Sequence, residues 1–317
     1  MAGSEAGPRA KTAVASHRTP GNPRSALPFP AASASLDIVP ATARNPRQIQ
    51  ETIESRENRW LKRFRFALRD TPEEGAPIGV EGPRLVEEAF RSRLRVEALL
   101  VSSAGERHLS RLKPHLDTTV RLLRCSDRLF ASASGTEAPQ GIAALVHPRS
   151  FRWEDLLAGN PLVILLVGVQ DPGNVGTAIR SAEAFGATGA VACRGTAHPL
   201  APKALRASAG SAFRLPLIAG VELEQGLAML RDAGLRIYAA SLAGELSPQD
   251  TDLRKPAALL IGNEAAGLPT EIESAADARL RIPLAAGVES LNAAVAASVL
   301  LYEAARQRGK ANRGIGR

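Results

Sequence analysis

"LVILLVGVQDPGNVGTAIRSAEAFG", residues 162–186, opens with an unbroken apolar run, Leu162–Val169. A run without polar alternation reads as a strand buried on both faces, as in a parallel sheet. Asp171-Pro172-Gly173 then forces a turn, and Thr177–Phe185 reads as a helix. The same alternation continues downstream. Strands are predicted at Gly189–Cys193, Leu215–Ile218, Arg236–Ala240, Ala257–Ile261 and Arg279–Ile282, with helices at Leu223–Asp232 and after Ser290. Strands alternating with helices indicate an α/β fold with a mostly parallel sheet covered on both faces. Ligands in such sheets bind outside the carboxyl ends of the strands.

Upstream, helical and strand patterns alternate from Arg44 to Val146. Ile49–Leu68 reads as a helix with a basic face at Arg59, Lys62, Arg63, Arg65 and Arg69, and with apolar Trp60, Leu61, Phe64 and Leu68 at helical spacing. Pro77–Glu81, Val96–Ser102, Val120–Leu123 and Ile142–Val146 read as strands and Pro83–Arg91 as a helix. This predicts a small α/β domain at 44–148. The connector Pro148–Pro161 leads into a second domain, whose expected span is 149–309. Residues 1–43 are rich in Ala, Ser and Pro, with six prolines, and are expected to be a disordered tail. Residues 310–317 form a short basic tail.

The net charge of +8 is unevenly spread. Residues 44–150 hold 19 Lys/Arg against 14 Asp/Glu, and residues 151–317 hold 17 against 16. A basic domain beside a nearly neutral one indicates a polyanion binder joined to something else. The longest apolar run is far short of the roughly 20 residues that span a bilayer. Cys125 and Cys193 form no close pair, so a disulfide framework or thiolate metal site has no support and reduced thiols are expected. No apolar segment in the first 43 residues resembles a secretion signal. A cytoplasmic protein without membrane attachment is expected.

Three loops follow strands and carry polar residues. In Gln170–Gly186, Asn174 and Gly176 are placed before a helix, with Arg180 on its first turns. In Leu259–Pro269, Gly262 ends a strand and Asn263-Glu264 follow. The Gly262–Gly267 spacing imitates a phosphate loop, but Leu268-Pro269 stand where Lys and Ser/Thr are needed, which rejects a nucleotide triphosphatase. No G-x-G-x-x-G supports dinucleotide binding either. In Arg281–Asn292, Gly287 gives a flexible loop closed by Ser290 and Asn292. Ser290 suits a helix N-cap; capping by Ser290 leaves Asn292 unexplained. The five histidines show no metal-ligand spacing, and no Ser-His-Asp arrangement is readable, so no metal is expected and no general base is conspicuous.

N-x-G-x-x-x-R at Asn174–Arg180, G-x-E-x-x-G-L at Gly262–Leu268 and I-P-L…S-L-N at Ile282–Asn292 resemble the three motifs of the SpoU (TrmH-like) RNA ribose 2′-O-methyltransferases. They stand in order, with 20 residues from Gly262 to Ile282 and 9 from there to Leu291. Asn58 and "TEAPQGIAALV" at Thr136–Val146 resemble the substrate-binding domain of the same family, which has a ribosomal-protein-like α/β fold. The resemblance covers about 44–308. One departure is Ala293-Ala294, where the family often has Val-Ser.

The resemblance implies a parallel sheet with a deep trefoil knot at its carboxyl end, S-adenosylmethionine held by the knotted loops, and active sites shaped at a homodimer interface. It implies that Gly262, Ile282 and Leu291 contact the methyl donor through backbone groups, while Asn174, Arg180, Glu264, Ser290 and Asn292 form the catalytic surround. Glu264 and Asn174 are expected to orient Arg180, and Ser290 and Asn292 to hold the ribose. The Ala-rich start of the last helix, Ala293–Ala297, is expected to pack against the second subunit. Ribosomal RNA is the first expected substrate and transfer RNA the second. A non-catalytic RNA-binding homologue is the competing class; five intact polar positions argue against it.

Overall fold

The computed structural model describes residues 50–116 and 118–309; the expected tails at 1–43 and 310–317 lie outside them. The first sheet is built from β1 (Gln50–Ile53), α1 (Arg59–Arg69), β2 (Ile78–Glu81), α2 (Pro83–Arg91), β3 (Arg95–Ser102), α3 (Glu106–Leu112), β4 (Arg121–Cys125), α4 (Asp127–Ala133) and β5 (Ile142–His147). Its order is β1-β4-β3-β5-β2, parallel through β1, β4 and β3 and antiparallel at β5 and β2.

The second sheet follows α5 (Trp153–Leu156). It contains β6 (Leu162–Leu166), α6 (Pro172–Ala184), β7 (Gly189–Cys193), α7 (Pro202–Ser208), β8 (Leu217–Val221), α8 (Leu223–Asp232), β9 (Arg236–Ala240), β10 (Ala257–Ile261), α9 (Thr270–Ala275), β11 (Ala278–Leu280) and α10 (Ala293–Gln307). Its order is β11-β9-β10-β6-β7-β8, and every pairing is parallel. The uniformly apolar β6 run has the predicted cause. Leu162, Ile164 and Leu166 pack in one buried cluster with residues of α6 and α10. Val163 and Leu165 pack in another with Leu156, Leu227 and Leu230. From β6 the chain runs outward to β7 and β8, then returns to place β10 on the other side of β6. The strand order reverses there, and a crevice at such a reversal is where open α/β sheets bind ligands.

Two readings are corrected. The segment Ile49–Leu68 is not one helix: β1 pairs with β4, and α1 starts only after Asn58, whose Oδ1 accepts from the Trp60 N–H at 2.8 Å. The basic face of α1 stands as read, opposite buried Trp60, Leu61, Phe64 and Leu68, and three of its arginines are engaged within the fold. Arg63 pairs with Glu97 at 2.6 Å, and Arg65 and Arg69 donate to the carbonyls of Ser132 and Ser134 at the end of α4. Finally, Ala293, Ala294 and Ala297 are buried inside the protomer, on the side where α10 meets α6 and β10. Val295, Val299 and Tyr302 are the large apolar residues of α10 left exposed.

Helices α6 and α7 lie unusually close because Gly176 has no side chain. A Cβ there would sit 2.2 Å from the Ala204 carbonyl oxygen and 2.7 Å from the Ala207 Cβ. Alanine has the better helix propensity by about 1 kcal/mol, but the backbone oxygen cannot yield without parting the two helices. Gly176→Ala is therefore expected to destabilise the protein by about 1–3 kcal/mol. A urea midpoint equal to or above that of the wild type would contradict this packing.

Candidate functional site

The crevice beside β6 and β10 gathers the three loops. After β6, helix α6 starts at Pro172, earlier than predicted. Proline suits a first helical position because its missing N–H has no partner there anyway. Asp171 is the N-cap, accepting from the Gly173 N–H at 3.0 Å and pairing with Lys203 of α7 at 2.6 Å. The Lys203 bond, helped by the Gly173 amide, holds the Asp171 carboxyl below its ordinary range. Asn174 thus lies in the first turn of α6 rather than before it.

After β10, Asn263 shapes the turn that presents Glu264. Its backbone exchanges two hydrogen bonds with Gly267, and its Oδ1 accepts from the N–H groups of Ala265 and Ala266. Its Nδ2 donates to the Gly168 carbonyl at 2.8 Å, tying this turn to the loop after β6. Gly262 lets the turn fold back, since a Cβ there would lie 2.4 Å from the Gly267 carbonyl carbon. Thr196, after β7, adds a second tie: it accepts from the Gly168 N–H and donates to the Leu166 carbonyl. Neither Asn263 nor Thr196 stood out as a positioning residue in the sequence; an asparagine next to a strand-ending glycine was the available signal.

The third loop ends at α10, and its cap is Asn292, not Ser290. Asn292 Oδ1 accepts from the N–H groups of Ala294 (2.9 Å) and Val295 (3.3 Å). Its Nδ2 donates to Asn174 Oδ1 at 2.9 Å, and Asn174 Nδ2 donates to Glu264 Oε1 at 2.7 Å. One chain of hydrogen bonds therefore joins all three loops. The Ser290 hydroxyl has no partner among the described residues.

Beside this chain lies a cavity of about 520 Å³ whose walls include Gly262, Glu264, Ile282, Ser290 and Leu291. That is within the range of roughly 300–1,000 Å³ typical of small-molecule sites. Ile261, Leu280, Ile282 and Leu291 supply apolar surface. From Ile282 to Leu291, the hydrogen bond from Val288 N–H to the Ala285 carbonyl is the only internal backbone bond among the described residues. The other amides and carbonyls of that segment make no backbone hydrogen bond with one another among the described residues. Asn174, Asn292 and Arg180 stand outside the cavity wall.

Arg180 is exposed and makes no hydrogen bond or ion pair among the described residues. With Asn174 already helical, six residues place Arg180 about 9 Å along the axis and a third of a turn around it. The two do not share a face, and the expected contact of Arg180 with Asn174 and Glu264 is not made within the protomer. The thiols stand apart from this chemistry. Both are free and buried, and burial pushes Cys193, at the end of β7, up to about 12.

The two polar residues that open α10 are now separable. Asn292→Ala removes a cap and the bond to Asn174, and is expected to cost about 1–3 kcal/mol in denaturant unfolding. Ser290→Ala should stay within about 0.5 kcal/mol of the wild type. Equal losses for the two would reject this assignment of the cap.

Residues 161–302 match the SpoU rRNA Methylase family, and residues 73–144 match the MRM3-like substrate binding domain. The 23S rRNA (guanosine(2553)-2′-O)-methyltransferase RlmP of Bacillus subtilis (strain 168) is 36% identical over 223 residues, which are 70% of this chain and 86% of that protein. A 23S rRNA (guanosine-2′-O-)-methyltransferase RlmB from a Burkholderia species is 35% identical over 193 residues, 59% of this chain and 78% of its own length. Among solved structures, an AdoMet-bound rRNA methyltransferase from Sinorhizobium meliloti superposes with a TM-score of 0.71 at 29% identity, covering 81% of this chain and 98% of that one. Fold, motif-bearing loops and sequence agree: the chain belongs to the SpoU rRNA methylase family.

Proposed function

We propose that the chain methylates a ribose 2′-hydroxyl of ribosomal RNA, with S-adenosylmethionine as methyl donor, as a cytoplasmic homodimer whose catalytic loops are threaded in a trefoil knot. The observation that carries this reading is the Asn292–Asn174–Glu264 chain set against a cavity lined by Gly262, Ile282 and Leu291. The cavity suits such a donor: apolar walls for a flat heterocycle, and backbone groups for polar ones. Gly262, Ile282 and Leu291 would hold it. When bound, S-adenosylmethionine supplies an electrophilic methyl group on a sulfonium. Ribosomal RNA is favoured as substrate by the two relatives named as 23S rRNA 2′-O-methyltransferases.

The chain's own residues then have distinct tasks. The reaction needs the ribose oxygen in line with the methyl carbon and its leaving sulfur, and positioning of this kind supplies several kcal/mol. Ser290, on the cavity wall with a free hydroxyl, is the group available to the ribose. Asn292 acts through Asn174, since its Oδ1 is committed to the cap. Arg180 is the cation for the developing alkoxide and an adjacent phosphate, because guanidinium does not release its proton at neutral pH.

The homodimer has its own support. Val295, Val299 and Tyr302 fall at i, i+4 and i+7 of α10 and are 46%, 38% and 49% exposed. This single apolar stripe lies on a helix that packs against α6, where Ser181 meets Ser298 at 2.7 Å and Phe185 meets Tyr302 edge-on. Thr177, Arg180 and Ala184 form the exposed stripe of α6. Burying the α10 stripe in a second copy brings Arg180 close to the joint between subunits.

Ribose-methylation mapping of ribosomal and transfer RNA from a deletion strain tests the activity and the substrate together; loss of one 2′-O-methyl mark in ribosomal RNA is expected. Arg180→Ala should lower kcat by at least about 100-fold, the scale of one lost oxyanion donor. Its affinity for S-adenosylmethionine should be unchanged, and Arg180→Lys should fail nearly as badly. Wild-type turnover in Arg180→Ala would remove Arg180 from the chemistry. Light scattering should give twice the 33.4 kDa chain mass, and Val299→Arg should yield inactive monomers; an active monomer would overturn the dimeric site.

A further inference from the structure

Some described cations of the amino-terminal half are engaged by the fold and others are not. Those of α1 are mostly engaged, as described above. A second set lines a groove of about 1010 Å³ between α2, α3 and α7: Arg84, Arg107, Arg111 and, from the second sheet, Arg206. Arg84, Arg111 and Arg206 make no side-chain hydrogen bond or ion pair among the described residues, and Arg107 touches only His108, at 3.3 Å. The carboxyl groups in the same walls are already engaged. Glu81 accepts from Ser134, Gly135 and Thr136. Glu87 pairs with Arg91, and Glu88 with Arg214 and Arg91. Four guanidinium groups of the groove, those of Arg84, Arg107, Arg111 and Arg206, thus have no carboxylate partner among the described residues. His108, on its wall, is pushed toward the neutral form by partial burial and by Arg107 and Arg111.

We propose that this groove is the track for the phosphate backbone of the RNA that delivers its ribose to the crevice beside β6 and β10. The inference rests on the RNA-methylating function proposed above and names the surface that serves it. Guanidinium forks match phosphate oxygens two at a time, and free guanidiniums on three separate helices suit an extended polyanion. The groove also leads to the chemistry. Arg206 is three residues after Lys203 on α7, about 4.5 Å along the helix, and Lys203 pairs with Asp171, the cap of the helix that carries Asn174. A strand following α7 from Arg206 to Lys203 would arrive at the start of α6, where Asn174 lies. An acidic peptide has no such reason to continue toward the cavity.

The test uses the full chain and a 23S rRNA transcript. The triple variant Arg84→Ala/Arg111→Ala/Arg206→Ala should bind at least about tenfold more weakly and lose about two to three units of the log-affinity against log-salt slope. These side chains are exposed and unbonded, so S-adenosylmethionine binding by calorimetry and kcat at saturating RNA should stay at wild-type values while KM rises. The triple Arg→Lys variant should keep most of the slope, because lysine still meets phosphate as a point charge. RNA affinity within twofold of wild type in the alanine variant, with an unchanged slope, overturns the proposal. So does loss as severe in the lysine variant, or a polyglutamate peptide bound as tightly as RNA through the same arginines. If the wild type binds the transcript through the groove yet transfers no methyl group to it, the function proposed above fails and the track stands. If it methylates and the alanine variant keeps its KM, the track fails and the function stands.

Discussion

The side-chain amide of Asn174 is the point at which three separate segments become one site. It donates to Glu264, 90 residues away, and accepts from Asn292, 118 residues away. A carboxamide can do both at once, because its NH₂ donates and its oxygen accepts at separate atoms. The directions along the chain are fixed from one end. Asn292 Oδ1 must face the N–H groups of Ala294 and Val295, because those are free donors at the start of α10. Its Nδ2 is then turned to Asn174, which must answer with Oδ1 and leave Nδ2 for Glu264. A helix cap thus sets the orientation of a carboxyl side chain two residues away in the network. Replacing Asn174 by aspartate would put two acceptors against Glu264, and replacing it by leucine would leave both partners unpaired.

The same helix that carries Asn174 also ties the two sheets together. Arg214, after α7, reaches Glu183 of α6 at 2.6 Å and Glu88 of α2 at 2.7 Å. The double contact, led by Glu183, raises the Arg214 pKa. Buried apolar residues also run from Val80 and Leu85 of the first sheet to Leu205 and Phe213 of the second in one cluster. Helix α7 consequently touches three things at once: the α6 backbone through Gly176, the α6 cap through Lys203, and the basic groove through Arg206. A disturbance of α7 would reach RNA contacts and catalytic loop together.

Much of this was legible in the sequence. β6, β7 and β10 are short apolar runs buried on both faces, and β9 and α8 matched their predicted ends residue for residue. The three loops were legible because strand, glycine and short polar residue recur in one order. Other features were hidden by ambiguity that local chemistry cannot resolve. Asp171-Pro172-Gly173 is a good turn and an equally good helix start; here tertiary packing of α6 on α7 selects the helix. Ser290 and Asn292 are both good caps, and the choice depends on which one Asn174 can reach. The arginines of α1 read only as a basic face because two of their acceptors, the carbonyls of Ser132 and Ser134, lie more than 60 residues away.

What remains unbonded in the protomer is as informative as what is bonded. Glu264, Asn174 and Asn292 hold one another in place, so their ordering cost is met during folding, before any ligand arrives. Ser290 and Arg180, the two groups assigned to the reacting ribose, hold nothing. A hydroxyl or guanidinium already engaged in a strong internal bond would have to break it before serving a substrate, and the gain on binding would shrink by that amount. The division suits a reaction whose catalysis is positioning plus one electrostatic contact. The frame of Glu264, Asn174 and Asn292 is self-satisfied, while the groups proposed to meet the ribose have no partner among the described residues to give up. The RNA groove repeats the pattern at a larger scale, with its carboxyl groups engaged by the fold and its arginines left open.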